Sequence, residues 1–213
     1  NDPDKMRRYV HIGTGNYNAN TARLYEDIGF FTCEEDIGSD ATELFNFLTG
    51  YAKEPEYKVL LVAPRQLRKR IVALIDKEAT FGEAGRITFK VNSISDPAII
   101  EALYRASSAG VKVNLIVRGI CCIRAGVEGM SENIVVRSIL GRYLEHSRIY
   151  RFEHGLDDDE PLHLIGSADM MGRNLDGRVE VLAPLTHPKH RMWLDTVFGF
   201  LLDNESTHFA LNS

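Results

Sequence analysis

Cysteine is scarce in this sequence. The 213 residues hold three, and two of them, Cys121 and Cys122, are neighbours. Thiols so few and so placed cannot build a disulfide framework, which points to a reducing, intracellular compartment. The adjacent pair reads as small buried residues. Long apolar runs are missing as well. No stretch approaches the roughly 20 residues that a membrane helix needs. The opening "NDPDKMRRY" is polar and lacks the apolar segment of a secretory signal. It also lacks an initiating Met, so a piece of a longer protein is expected. Excess positive charge is absent too: 25 Lys and Arg face 30 Asp and Glu, for a net charge of -5. That balance excludes bulk attraction to a polyanion, nucleic acid included, so any anion site must be a local cluster of Arg and His. Metal-ligand spacing is not found either. His154, His163, His187, His190 and His208 have no grouping with Cys or carboxylates that fits a metal. "GLDDDEP" offers too few ligands at defined spacing for calcium and reads as a solvated turn. "THPKHR" reads as a helix start.

What is present is a globular mixture, 44% hydrophobic and 26% charged, able to bury a core. "RRYVHIG" reads as a strand ending in a glycine turn. "ATELFNFLTGY" reads as a helix with Leu44, Phe45, Phe47 and Leu48 on one face, closed by Gly50. "YAKEPEY" is the best linker candidate, punctuated by Pro55. It divides the chain into residues 1–53 and 54–213. After it, "YKVLLVA" reads as a buried strand, and "RQLRKRIVALIDKEATFG" as a helix with Leu67, Ile71, Leu74 and Ile75 inward. "RITFKV" follows as a strand, then "SDPAIIEALYRASSAG" as a helix capped by Ser95 with Pro97 in its first turn, then the strand "VKVNLIV". This alternation predicts an α/β domain with a largely parallel sheet. "SRIYRFE" and "PLHLIGSA" read as a strand pair, "GRVEVLAPL" as a further strand, and "PKHRMWLDTVFGFLLD" as a closing helix with an apolar face.

One phrase occurs twice. Sliding the chain by 153 residues lays Ile12 on Ile165, Gly13 on Gly166, Thr14 on Ser167, Gly15 on Ala168, Asn16 on Asp169, Asp27 on Glu180 and Ile28 on Val181. An internal duplication would produce this register, with two turns facing one site. Small residues after a strand let backbone amides approach an anion closely. Near the second copy, His146 and Arg148 are two apart and share a face on a strand. The imidazole can exchange a proton near neutral pH, and the guanidinium supplies permanent charge matched to phosphate. Arg173 and Arg178 add cations downstream. Arg118 stands at the C-terminal end of a predicted strand, where α/β sheets bind ligands.

A His-x-Lys/Arg pair, a strand and a Gly-Ser/Thr-x-Asn/Asp turn resemble the pattern that the phospholipase D-like superfamily carries twice around one phosphoryl-transfer site. Within it, "YVHIGTGNYNANTARLYED", "VNLIVRGICC", "RYLEHSRIYRFEHG" and "GSADMMGRNLDGRVEV" resemble, in order and over nearly the whole chain, bacterial polyphosphate kinase of the histidine-phosphorylating type. That resemblance implies an α/β/α sandwich with a mixed, largely parallel sheet for residues 54–213. Residues 1–53 would be the end of a similar preceding domain. It implies reversible transfer of the terminal phosphate of ATP to polyphosphate through a phosphohistidine. His146 would act as an acid or base beside the nucleotide. Tyr25 and Arg118 would contact the nucleotide, Arg148, Arg173 and Arg178 would line the phosphate path, and His11 and Asn16 would buttress the nucleophile. His146 precedes Ile165 by 19 residues, and no His stands at that spacing before Ile12, so the nucleophile is expected upstream of residue 1. The chain also looks short of the family's usual end. Magnesium would accompany ATP, with its ligands outside this chain. The resemblance further implies ATP, ADP and polyphosphate as partners, a homo-oligomer, a bacterial cytoplasmic location, and allows a peripheral membrane association. Two alternatives stay open: a phospholipase D-like phosphodiesterase, and a non-catalytic polyphosphate-binding piece. Each residue also has a plainer reading. Tyr25 could be core, His11 structural, and Arg148 or Arg178 ion-paired with Glu180 or Asp176.

Overall fold

The structure, a computed structural model, describes residues 7–51, 53, 55–139, 142–156, 160–203 and 208–210. The first segment carries β1 (Val10–Gly13), β2 (Tyr25–Glu26), β3 (Gly29–Thr32) and helix α1 (Glu35–Leu48). Then come β4 (Leu61–Val62), α2 (Leu67–Ala79), β5 (Arg86–Val91), α3 (Pro97–Ser108), β6 (Lys112–Val117) and β7 (Ile134–Ile139). The last part holds β8 (Leu144–Glu145), β9 (Arg148–Phe152), β10 (Leu162–Gly166), α4 (Gly172–Gly177), β11 (Val181–Pro184), α5 (Pro188–Leu202) and β12 (His208–Ala210). Among the described residues no helix is long and apolar enough to cross a membrane.

Eight strands form one mixed sheet in the order β12-β7-β6-β5-β9-β10-β11-β4. It is α/β as expected, but adjacent strands are less often parallel than the alternation suggested. Within this sheet, among the described residues, only β5-β6 and β6-β7 pair in parallel. The other neighbours, from β12 on one edge to β4 on the other, pair antiparallel. The reason lies in the connections. The helix α3 crosses over between β5 and β6, which a parallel pair requires, whereas β9 returns directly into β10 as a hairpin.

Helices cover both faces of the sheet. On one face Ile87, Phe89, Val91, Val113 and Leu115 pack against Leu67, Ile71 and Ile75 of α2 and Ile99, Leu103 and Ala106 of α3. The spacing of three and four residues in each helix is what turns a single stripe inward. Each such aliphatic side chain contributes about 1.5–3 kcal/mol by leaving water. On the other face Ile116, Ile149 and Ile165 meet Leu194 and Phe198 of α5. Beside them Val62 and Ala183 meet Ile12 of β1 and Ile37 and Leu44 of α1. The first segment therefore docks on the same face as α5.

Several local expectations change. The cap of α3 is Asp96, not Ser95: its carboxylate accepts from the Ile99 amide at 3.2 Å, with Pro97 next in the first turn. The buried stripe of α1 is Ile37, Ala41 and Leu44, while Phe45 is 66% and Leu48 48% exposed. Phe45 follows Leu44 by one residue, about 100° around the helix, and so turns out of the stripe. "YKVLLVA" contributes only the two residues of β4 to the sheet. Cys121 is half-buried, but Cys122 is exposed. "THPKHR" does start a helix: His187 caps α5, accepting from the Lys189 amide at 3.2 Å. Ala52 and Glu54 of the linker candidate and residues 157–159 of the acidic turn lie outside the described residues.

Asp40 fixes the first segment to the sheet. Buried on α1, it accepts from the backbone amides of Lys58, Val59 and Leu60 at 3.0, 2.8 and 2.9 Å. These amides lead into β4 and have no strand partner of their own. The expected cost of Asp40→Ala is about 3 kcal/mol, because it strands buried donors. Urea denaturation of the variant beside the parent chain measures it, and a shift below about 0.5 kcal/mol would contradict the assignment.

Candidate active site

The two glycine turns are built alike. β1 pairs antiparallel with β3, with Ile12 opposite Phe30 and Gly13 opposite Gly29. β10 pairs antiparallel with β11, with Ile165 opposite Ala183 and Gly166 opposite Leu182. Every partner in the second pair stands 153 residues after its counterpart. Just past the glycine, the Thr14 amide donates to the Ile28 carbonyl at 2.8 Å, and the Ile28 amide donates to Thr14 Oγ1 at 2.9 Å. The second turn repeats this clasp, Ser167 to Val181 at 3.0 Å and back at 3.3 Å. That is why a hydroxyl residue occupies the position in both copies: it closes each turn by accepting a buried amide.

The later part of the chain reaches the first turn through two side chains. Arg148 opens β9, and its Nη1 donates to the Thr14 carbonyl at 3.0 Å while Nη2 donates to Asp169 Oδ2 at 2.9 Å. Asp169, from the second turn, also accepts from the Asn92 amide at 2.7 Å. One buried arginine thus joins both turns. Asn16 is the counterpart of Asp169, yet it is exposed. The partners that bury Asp169, Arg148 and Asn92, have no counterparts 153 residues earlier within these 213.

His146 sits just before β9. Its Nδ1 is 2.9 and 3.0 Å from the two oxygens of Asp27, its ring faces the Tyr25 ring at 4.5 Å, and Arg148 Nη1 is 3.2 Å from both ring nitrogens. Its backbone is held as well. The amides of His146 and Ser147 donate to the Glu26 carbonyl at 3.1 and 2.9 Å, continuing a parallel pairing of β2 with β8. Burial pushes the Asp27 carboxyl up, but hydrogen bonds from His146 and Thr14 and the charges of His146 and Arg148 outweigh it and hold the group below the ordinary value. Asp27 is therefore an ionised acceptor at neutral pH. A carboxylate only accepts, so the ring meets it through an Nδ1–H, and the other ring nitrogen, Nε2, lies 3.2 Å from Arg148 Nη1.

The remaining expected residues divide. Arg118 directly follows β6 and lines a small cavity with Lys90 and Glu145, the neighbour of His146. Its Nε is buried without a partner among the described residues. His11, Asn16 and Arg178 line a second space, a groove of about 580 Å³ shared with Ser167 and Glu180. His11 does not meet His146 in this network. Its Nδ1 is 2.6 Å from the Tyr17 hydroxyl and its ring packs on Phe31 at 4.5 Å. Arg173 is exposed on α4 with no partner among the described residues. The plainer ion pairs do not form. Asp176 is taken by Arg68 at 2.6 Å and Glu180 accepts from Asn174 at 2.8 Å.

Asp27, Asp169 and Lys90 are the site residues that sequence reasoning missed. The signal for Asp27 was in the register, which places an acid at the same point of both copies. Carboxylates here are already engaged: Asp27 with His146, Asp169 with Arg148, Glu145 with Lys90. Among the described residues no three His, Cys, Asp or Glu come together to hold a metal ion. The side chains present do not fit a resident magnesium.

Comparison with known proteins matches the chain in two stretches. The family description "Polyphosphate kinase C-terminal domain 2" matches residues 60–213, and "Polyphosphate kinase C-terminal domain 1" matches residues 1–54. The polyphosphate kinase of Synechocystis sp. is 55% identical over 203 residues, 94% of this chain and 27% of that protein. That of Mycobacterium tuberculosis is 52% identical over 205 residues, 93% of this chain and 27% of its own. The chain thus spans about a quarter of the length of the curated relatives it matches. Among solved structures, polyphosphate kinase from Porphyromonas gingivalis superposes with a TM-score of 0.89 at 36% identity, over 97% of this chain and 32% of that one. The phospholipase D family member NUC from Salmonella typhimurium shares the fold, with a TM-score of 0.52 at 16% identity over 72% of this chain and 97% of its own. Two family descriptions cover nearly all of the sequence, and the likeness in sequence and in fold leads to one place: the chain belongs to the polyphosphate kinase family.

Proposed function

We propose that this chain supplies the acid–base and phosphate-binding half of a site that transfers the terminal phosphate of ATP to polyphosphate, reversibly, through a phosphohistidine. The observation that carries this reading is the Asp27–His146 pair beside Arg148, which joins two matching glycine turns. On this reading residues 1–53 end one phospholipase D-like domain and 54–213 form a second. The family matches that stop at 54 and resume at 60 support that division.

Each residue then has a task. Asp27 holds the Nδ1 proton of His146, so Nε2 gives a proton to the departing ADP oxygen or takes one from the attacking chain end. Arg118 and Arg148 neutralise charge as it spreads over the transferring oxygens. Tyr25 orients the imidazole from its open face. Arg173 and Arg178, exposed and without carboxylate partners among the described residues, meet the phosphate chain. Magnesium arrives as the counter-ion of the nucleotide. On this reading, which follows the family pattern, the nucleophilic histidine is one outside residues 1–213 and His146 serves as its acid–base partner.

The test gives γ-labelled ATP and magnesium to a whole kinase containing this chain, to the chain alone, and to the whole kinase carrying His146→Ala. Acid-labile phosphoprotein and labelled polyphosphate are expected from the first and neither from the second. The variant is expected to make polymer about 10²- to 10⁴-fold more slowly, the usual worth of a positioned acid–base group. Wild-type synthesis by His146→Ala would sink the assignment. Metal-independent ester cleavage, in place of transfer, would favour the phosphodiesterase alternative.

A further inference from the structure

Lys90 stands in β5, in the middle of the sheet, with 4% of its surface exposed. Lysine is almost never buried so deeply unless paired. Here all three ammonium N–H bonds find acceptors: the Ser147 carbonyl at 3.1 Å, Ser147 Oγ at 2.7 Å and Glu145 Oε2 at 3.0 Å. Glu145 and Ser147 are the residues on either side of His146. The opposite side of the same backbone is held by the Glu26 carbonyl. The histidine therefore rides on a short segment gripped from two directions, by β5 and by β2. The pair also lies beneath Arg118, since Lys90, Glu145 and Arg118 line one cavity of about 10 Å³, room for a single water.

Stability alone is a weak reason for such a pair. The desolvation of two buried charges roughly cancels their attraction, and apolar replacements of similar volume are often neutral or better. Burial does disfavour the charged amine, with Glu145 opposing it. What the pair supplies, and an apolar contact would not, is a fixed direction.

We infer that Lys90 is a positioning residue for His146, clamping Glu145 and Ser147 so that the imidazole meets its ligand in one orientation. This rests on the acid–base reading of His146. The groups facing that imidazole are Asp27 and Tyr25 from the first segment and Arg148 from β9; those facing the ammonium are Glu145 and Ser147, with the charges of Arg148 and Asp27 near.

The experiment uses the whole kinase containing this chain, with ATP as the varied substrate. Lys90→Met removes the donors at nearly constant volume. Its kcat should fall roughly a hundredfold, as small misplacements of a catalytic group do, while KM for ATP stays within about twofold. Ser147→Ala, a small change, serves if Lys90→Met does not fold. It should give a smaller fall in kcat, again with KM held. Wild-type kcat in the variants that fold, beside an inactive His146→Ala, overturns the inference alone. So does a fall matched by an equal loss of folded protein. Full activity of His146→Ala overturns the functional reading and this inference with it.

Discussion

Arg148→Met is expected to unfold or loosen this chain more than any other single charge removal. The guanidinium is about nine-tenths buried and bridges Thr14 of one turn and Asp169 of the other. Without it the Thr14 carbonyl loses a donor, and a buried carboxylate keeps its charge with only backbone and amide donors from Asn92 and Ser93. Breaking a buried pair from one side costs about 3–5 kcal/mol, far more than the pair itself contributes. Two further variants give the measurement its meaning. Arg173→Ala, on an exposed arginine, should change the unfolding free energy measured in urea by less than about 0.5 kcal/mol. Arg148→Met with Asp169→Asn should recover part of the loss, since the stranded charge is gone. If the single variant melts with the parent chain, the bridge between the turns is not what holds them.

The second large effect separates two glycines that the repeat makes equivalent. A Cβ on Gly166 would stand 1.9 Å from the Val181 carbonyl oxygen and 3.0 Å from Leu182 Cα. Those are backbone atoms of β11, held by β4 on its far side, and cannot rotate away. A Cβ on Gly13 would meet nothing nearer than His11 Cε1 at 3.6 Å, an ordinary contact. Gly166→Ala should therefore cost about 4 kcal/mol or more, and Gly13→Ala less than about 1 kcal/mol. Thermal melts of the two variants side by side check the asymmetry. Equal shifts would mean that the second turn yields more easily than its packing implies.

Much of the fold could be read from local pattern. The stripe of α2, the capped start of α3 and the hairpin of β9 with β10 follow from spacings of two, three and four residues. The misreadings arose where one residue decides a direction, as with Ser95 and Asp96, or where neighbours such as Cys121 and Cys122 differ in burial. Sheet polarity was harder, because antiparallel returns through β10 and β11 leave the same strand-like composition as crossovers do. The site was legible where chemistry is concentrated in single residues. His146, Arg148 and Tyr25 announced themselves and do come together. Asp27 and Lys90 did not, because an isolated acid or lysine reads as surface. Only a partner far along the chain, 119 residues away for Asp27 and 57 for Lys90, makes it something else.

Those distances along the chain carry a consequence for time. The hairpin of β1 with β3 and each glycine clasp close over short loops and form early. Contacts between Asp27 and His146, and between Thr14 and Arg148, must wait for loops of more than a hundred residues to close, the slow kind of event in folding. In the native state the Asp27–His146 contact opens first, because a short two-stranded ladder and a few side chains hold it. Amide hydrogens of His146 and Ser147, bonded to Glu26, should then exchange with solvent well before those of β5 and β6. The meeting of Asp27 with His146 is the last thing this chain builds and the first that it releases.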